Sequence, residues 1–396
     1  MDSTTAGALA GVRLIDVTQV MAGPFCTMLL ADLGADVIKI EPPEGDMTRR
    51  MPGAVGHDTP AYNAVNRGKR SVVLDIKTDA GRRAVLRLAG SADVFAENSR
   101  PGVMAGLGLG YEALAERNPR IVYASISGYG QTGPDRAKGG LDLIAQAVSG
   151  IMSVTGAPGG PPMKAGVPLT DLGAALFAAT GVLSALIHRH RTGRGQHVDT
   201  SLVEAGVALS VWEATEYFAG TGVPEPLGSA HRMVAPYQAI ACADGHVTIG
   251  ASNDRLFARL CEVLGHPEWA GMPEFADNPS RVRNRAALAE RIESVTRHRS
   301  KRSWLDAFES RDIPCGPINS YAEVFADPQI VARDMVVSVE HPTLGRIQAL
   351  GSPIKLSATP ASARRRAPTL GEHTEEVLRE AGFEDKEIDE LRKTVM

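Results

Sequence analysis

Val12-Arg13-Leu14-Ile15-Asp16-Val17 and Asp36-Val37-Ile38-Lys39-Ile40-Glu41 are the two runs that decide the fold. Both are short, rich in β-branched residues and apolar on either side of the chain, the pattern of strands buried on two faces. Between them Phe25–Leu33 reads as a short helix, and Pro42-Pro43 closes the second strand. A strand, a helix and a second strand of this kind make a βαβ unit. The alternation continues outward through Ser71-Val72-Val73-Leu74, a helix over 79–88, Asp93-Val94-Phe95-Ala96-Glu97 and Ile121-Val122-Tyr123-Ala124-Ser125-Ile126. The expected class is α/β, a mostly parallel sheet covered by helices on both faces.

Such a sheet invites a dinucleotide-binding reading, with Glu41 as the acidic residue after the second strand. The turn after the first strand, Thr18-Gln19-Val20-Met21-Ala22-Gly23-Pro24, lacks the required glycine spacing and contains a proline. A different ligand is expected at the strand ends. The 396 residues are 43% hydrophobic and 22% charged, enough for a sizeable core and for more than one domain. A formal charge of −4, with basic residues dispersed, excludes a nucleic-acid footprint. Cys26, Cys242, Cys261 and Cys315 are too far apart for a zinc site or disulfide framework and suit a reducing compartment. With no basic, apolar leader and no run of ~20 apolar residues, the expectation is a soluble, cytoplasmic protein without metal or permanently bound cofactor.

Ala165-Gly166-Val167-Pro168-Leu169-Thr170-Asp171-Leu172 turns from loop into a long apolar helix. A carboxylate there faces free N–H groups and the positive end of the helix dipole, which favours its ionised form. Asp171 reads either as a cap or as a rigidly placed reactive group. Leu172, Leu176, Ala179, Leu183 and Leu186 follow steps of three and four, so this face is expected to be the buried one, with small residues on the flanks. The basic turn His188-Arg189-His190-Arg191 and Thr192-Gly193 end the helix.

The sequence changes character after Gly220. Gly220–Pro226 reads as a linker, Tyr237–Cys242 and His246–Gly250 as a hairpin, and Arg255–Leu264 and Arg285–Thr296 as helices. The expected organisation is a large domain over 1–220, a small α+β domain over 225–335, and a C-terminal segment over 336–396. That last segment ends in one charged helix, Thr374–Lys393.

Several stretches, in this order, resemble the class III CoA-transferases. They are Gly11–Asp16 with Ala22-Gly23-Pro24-Phe25, Leu33–Glu41, Asn66–Ser71, Glu97-Asn98-Ser99-Arg100-Pro101-Gly102, Gly128–Pro134 and Arg191–Gln196. The resemblance implies a Rossmann-like large domain that regains the C-terminal residues, an interlocked homodimer, and Asp171 as the covalent nucleophile. It implies CoA contacts from Val20, Lys69, Arg70, Asn98, Arg100 and Lys138, with Asp142, Tyr62, Gly250, Ser252 and Asn253 in support. His231 and Arg232, in Gly228-Ser229-Ala230-His231-Arg232, resemble the branch that moves CoA between succinate and other dicarboxylates, and are the candidates for the acceptor's distal carboxylate.

The chain also departs from its look-alikes. Racemases of the superfamily carry a histidine in a Gly-His-Asp motif, where this chain has Gly140-Leu141-Asp142. Leucine cannot relay a proton, so racemisation loses a partner. Many transferases have tyrosine there; Met21 and Gly106 stand where relatives place glutamine and arginine. The implied activity is CoA transfer from an acyl-CoA to a free carboxylic acid. The alternatives are an α-methylacyl-CoA racemase or epimerase, and a CoA-binding protein without catalysis.

Overall fold

The computed structural model describes residues 7–363 and 365–393. The chain forms two compact units. The first comprises residues up to Ile151, Lys164–Thr221 and the chain from Pro328 onward; the second comprises Met152–Met163 and Gly222–Asp327.

The first unit is built on six parallel strands: β1 (Arg13–Asp16), β2 (Asp36–Glu41), β3 (Arg70–Val73), β4 (Val94–Glu97), β5 (Val122–Ser127) and β6 (His197–Ser201). Their order in the sheet is β3-β2-β1-β4-β5-β6. Register runs from Arg13 opposite Asp36 to Asp16 opposite Lys39, and from Leu14 opposite Val94 to Asp16 opposite Ala96. The chain therefore winds outward in both directions from the β1–β4 seam. In sheets of this order the crevice at the carboxyl ends of those two strands is where ligands bind.

Alternation along the strands feeds two cores. Leu14, Val37, Val94, Ala96, Val122 and Ala124 pack on one face against the helix Leu169–Thr192. Ile15, Ile38, Phe95 and Tyr123 pack on the other, with Val85 and Leu88 of the helix Asp79–Ala89 and with Val377, Leu378 and Ile388. The C-terminal chain is fastened here by Arg67 Nη1 donating to Leu350 O at 2.7 Å and His373 N donating to Ser71 O at 2.9 Å. The single C-terminal helix expected from sequence is two, Thr374–Glu380 and Asp385–Lys393. Gly382, at φ 75°, breaks it.

The helix Leu169–Thr192 buries mainly its small residues and only part of the leucine face, with Ala179 buried and Leu183 and Leu186 packed at the edge of the core. Gly173, Ala174, Ala175, Ala178, Val182 and Ala185 are buried, whereas Leu176 is 52% exposed and Phe177 and Ile187 also face outward. The sheet and the helix Leu202–Leu209 approach so closely that only small residues fit between them: a Cβ on Gly173 would lie 2.9 Å from Leu209 Cδ1. By length and composition the helix Leu169–Thr192 could cross a bilayer, but half of its apolar stretch is buried inside the unit, as in a core helix.

The second unit is an antiparallel sheet, in the order β7 (Tyr237–Cys242), β8 (Gly245–Gly250), β9 (Cys315–Pro317), covered by helices. Ile240, Val247 and Ile249 pack against Phe257, Leu260, Trp304 and Phe308. The indole of Trp304 donates to Thr296 O at 2.8 Å, satisfying its one polar group inside this core.

Candidate functional site

Five elements of the first unit converge at the β1–β4 seam. The turn after β1 brings Gln19 and Val20, the turn after β4 brings Asn98 and Arg100, and the end of β5 brings Ser127 and Gly128. The N-terminal ends of the helices Asp142–Val148 and Leu169–Thr192 complete a cleft of about 560 Å³, with Lys138, Leu141, Asp142 and Asp171 on its lining.

Close approach at two glycines fixes parts of the cleft wall. A Cβ on Gly140 would lie 2.3 Å from the Gly128 Cα, so the loop carrying Leu141 and Asp142 rests directly on the end of β5. A Cβ on Gly23 would meet the Thr18 Cβ at 2.3 Å, which makes glycine necessary in Ala22-Gly23-Pro24. Val20 has φ 71°, a left-handed conformation that costs a β-branched residue roughly 1–3 kcal/mol.

Asp171 occupies the third position of its helix and makes no capping bond. Capping comes from Asp142, whose Oδ1 accepts from Thr170 N at 3.0 Å and Thr170 Oγ1 at 2.7 Å. Gln146, one turn beyond Asp142, is buried and steadies the arrangement. It donates to Asp142 Oδ2 at 2.7 Å and accepts from Ala165 N at 2.9 Å. Asp142 and Gln146 thus fix the Asp171 loop, and Asp171 itself has no hydrogen-bond donor among the described residues.

That lack of partners has an electrostatic result. Burial, reinforced by the negative charge of Asp142, pushes the Asp171 carboxyl up to about 6. Desolvation outweighs the pull of the helix terminus on this group, although the carboxyl is still ionised at neutral pH. Above pH 6 the group is a poorly solvated carboxylate facing a cleft, the state of an activated oxygen nucleophile.

The other sequence candidates separate into groups. Val20, Asn98, Arg100 and Lys138 line the cleft with Asp171 and Asp142. Arg100 has no carboxylate partner among the described residues, whereas Lys138 pairs with Asp135 at 2.8 Å. Asn98 uses its carboxamide on protein: Oδ1 accepts from Gln19 N at 2.8 Å and Nδ2 donates to Gln19 O at 2.7 Å.

Lys69 and Arg70 do not line the cleft. The Lys69 ammonium is buried against Asp16 Oδ2 at 2.9 Å and Pro24 O at 3.0 Å. Arg70 begins β3, at the opposite end of the sheet, and its guanidinium is taken by Asp36, Glu376 and Glu380 at 2.7–3.0 Å. Tyr62 is fully buried, donates to Glu41 Oε1 at 3.0 Å and lies under the Arg49 guanidinium. Its role is in the core. A lysine or arginine in sequence reads as available charge; here a buried carboxylate, Asp16, has taken up Lys69, and three partly exposed ones have taken up Arg70.

Gly250, Ser252, Asn253, His231 and Arg232 belong to the second unit. Asn253 caps the helix Asp254–Leu264 by accepting from Leu256 N at 2.9 Å. The N–H groups of Gly250 and Ala251 go to Pro314 O and Pro236 O, so two donors of this strand-to-helix turn are already committed. The His231 ring packs on Tyr237 at 5.1 Å between centroids, and Arg232 Nη2 donates to Glu225 O at 2.8 Å.

Residues 9–374 match the profile of CoA-transferase family III. The chain belongs to that family. This transferase is 40% identical to a human succinyl-CoA:glutarate CoA-transferase over 98% of its own length and 90% of the relative's. It is 43% identical to a succinyl-CoA:mesaconate CoA-transferase of Haloarcula hispanica, over 95% of its length and 97% of the relative's. A solved CaiB/BaiF family protein from Brucella suis superposes with a TM-score of 0.85 at 38% identity, covering 95% of the transferase and 100% of that structure. The mixed α/β fold with a large parallel sheet is therefore that of the family, and the activity class is CoA transfer.

Proposed function

We propose that this transferase moves CoA from succinyl-CoA to a second dicarboxylate, with Asp171 as the covalent nucleophile. The single observation that carries the reading is Asp171 itself: a desolvated carboxylate with no donor among the described residues, on the wall of a cleft at the carboxyl ends of β1 and β4. The names of the relatives support succinyl-CoA as donor and a dicarboxylate as acceptor.

In this mechanism an Asp171 oxygen attacks the thioester carbonyl and CoA leaves as thiolate, giving a mixed anhydride. The thiolate attacks the Asp171 carbonyl carbon, succinate leaves, and an aspartyl-CoA thioester remains. The acceptor carboxylate then attacks that thioester and displaces the thiolate. Attack of the thiolate on the acceptor's acyl carbon forms the product and returns the Asp171 carboxylate. No proton is gained or lost across the sequence, and the thioester's energy is retained while water stays out.

The unpaired Arg100 guanidinium is suited to a CoA phosphate. A second cleft of about 290 Å³ shares Val17 and Gln19 with the first and is lined by Arg50 and Lys77, cations suited to further phosphates of CoA. Leu141, 72% exposed on the cleft wall, offers no proton relay, which disfavours the racemase reading. Asp142 supports the nucleophile by position, while His231 and Arg232 remain the acceptor-binding assignment.

We assign the exposed apolar faces of Leu169–Thr192 and Val211–Phe218, the latter bearing Phe218 at 82% exposure, to a homodimer interface. Light scattering should give twice the chain mass, and a monomer at micromolar concentration would refute that assignment. For activity, succinyl-CoA is incubated with a mixture of free acids, and new thioesters are identified. A dicarboxyl-CoA product, with an acyl or CoA adduct on the Asp171 peptide after quenching, is expected. Exchange by Asp171→Ala at the wild-type rate would sink the mechanism.

A further inference from the structure

We propose that Asp46 is a positioning residue for the CoA cleft, acting through Val20. With Lys39 and Asn98 it pins three consecutive residues so that Val20 keeps the left-handed conformation that shapes the cleft wall. The inference rests on the cleft being the CoA site.

The turn after β1 is fastened residue by residue. Thr18 donates through N and Oγ1 to Asp16 Oδ1, at 2.9 and 2.5 Å, while its carbonyl accepts from Lys39 Nζ at 2.8 Å. Both backbone groups of Gln19 are held by the Asn98 carboxamide. Val20 N donates to Asp46 Oδ1 at 3.4 Å. Every backbone group pinned here is met by a side chain rather than by a neighbouring strand.

Asp46 is itself immobilised. Its Oδ1 accepts from Thr48 N at 2.9 Å and Thr48 Oγ1 at 2.8 Å, and its Oδ2 lies 3.0 Å from Lys39 Nζ. The Asp46 and Lys39 side chains have no exposed surface. A buried ion pair is a weak source of stability by itself, because desolvation offsets most of the attraction. The transfer chemistry makes no use of this pair either. Its position beneath a strained β-branched residue on the cleft lining is accounted for if it sets backbone geometry, since such strain persists only where the surroundings over-determine it.

The test uses Asp46→Asn, which keeps shape and removes the charge facing Lys39. The expected KM for succinyl-CoA rises about tenfold with kcat within about twofold, as for a lost uniform-binding contribution. Without substrate, amide exchange over residues 18–20 should accelerate about tenfold. In a Val20→Gly background, where left-handed φ carries no steric cost, the penalty of Asp46→Asn on KM should shrink below about twofold. If Asp46→Asn does not fold, Asn98→Ala releases Gln19 without disturbing a charge and should give the same signature and the same rescue. Unchanged exchange at 18–20, or a KM penalty of equal size in the Val20→Gly background, overturns the proposal. The exchange measurement needs no turnover, so it decides this point even if the transferred acids prove to be different ones.

Discussion

Asp16 and Asp171 are two aspartates of the same unit with opposite surroundings. Asp16 lies at the end of β1, fully buried, and accepts from Thr18, Thr27 and Lys69. Burial alone would raise its carboxyl, but the Lys69 and Lys39 ammonium groups and the two hydroxyls overcome that and hold it well below the usual carboxylate range. Asp171 also loses solvent, receives no donor and faces a second carboxylate, so its carboxyl rises to about 6. Desolvation acts on both. Compensation is complete at the structural position and withheld at the reactive one, which separates a residue that holds the fold from one that performs chemistry.

The sharpest way to break the contrast is to remove the reactive charge. Asp171→Asn should lower kcat by at least ~10³-fold while folding is kept, because a covalent step has no substitute. The same change should raise the unfolding midpoint by roughly a few degrees at pH 8, measured by thermal melting, and have little effect at pH 4. The sign follows from the raised folded-state value: the ionised side chain destabilises the fold above pH 6, and an amide carries no such charge. A midpoint that falls at pH 8 would contradict the electrostatic account.

Next in size is Asp16→Asn, which leaves Lys69 buried beside an amide. Breaking one side of a buried pair should cost about 3–5 kcal/mol, read as a lower denaturation midpoint, with activity lost in proportion to the unfolded fraction. Wild-type Asp16 has a depressed folded-state value, so its stabilisation is present above the unfolded value near 3.8 and is lost as pH falls below it. Acid denaturation of the wild type should therefore begin below about pH 4, and the variant should lose this transition's dependence on Asp16.

The smallest effect is on the wild-type rate. Initial velocity at low substrate should fall about tenfold per pH unit below 6, as the Asp171 carboxylate is protonated. A rate that stays flat from pH 7 to 5 would place the reactive carboxylate elsewhere.

Much of this contrast was legible in the chain. Buried parallel strands announce themselves as apolar runs, so β1 to β5 could be placed within a residue or two. The polar strand His197–Ser201 was missed because it pairs on one side only and carries no apolar run. Asp171 stood out at the loop-to-helix junction. Asp142 was named as support, but its partner Gln146 was not, although their i, i+4 spacing in one helix was available as a signal. The fates of Lys69, Arg70 and Tyr62 were hidden for another reason: sequence gives a side chain's charge or hydroxyl, while its partner comes from elements up to 310 residues away. The buried face of Leu169–Thr192 was read only in part, through Ala179, Leu183 and Leu186, because periodicity weighs hydrophobicity and close packing here selected size.

The contact between Gly128 and Gly140 carries a consequence of its own. Two stretches of main chain meet there with no room for even a methyl group, so the loop bearing Leu141 and Asp142 is seated on bare polypeptide and a side chain added at either glycine would lift it. Substitutions that tune the acids handled are expected elsewhere on the lining, where side chains and not backbone meet the cleft.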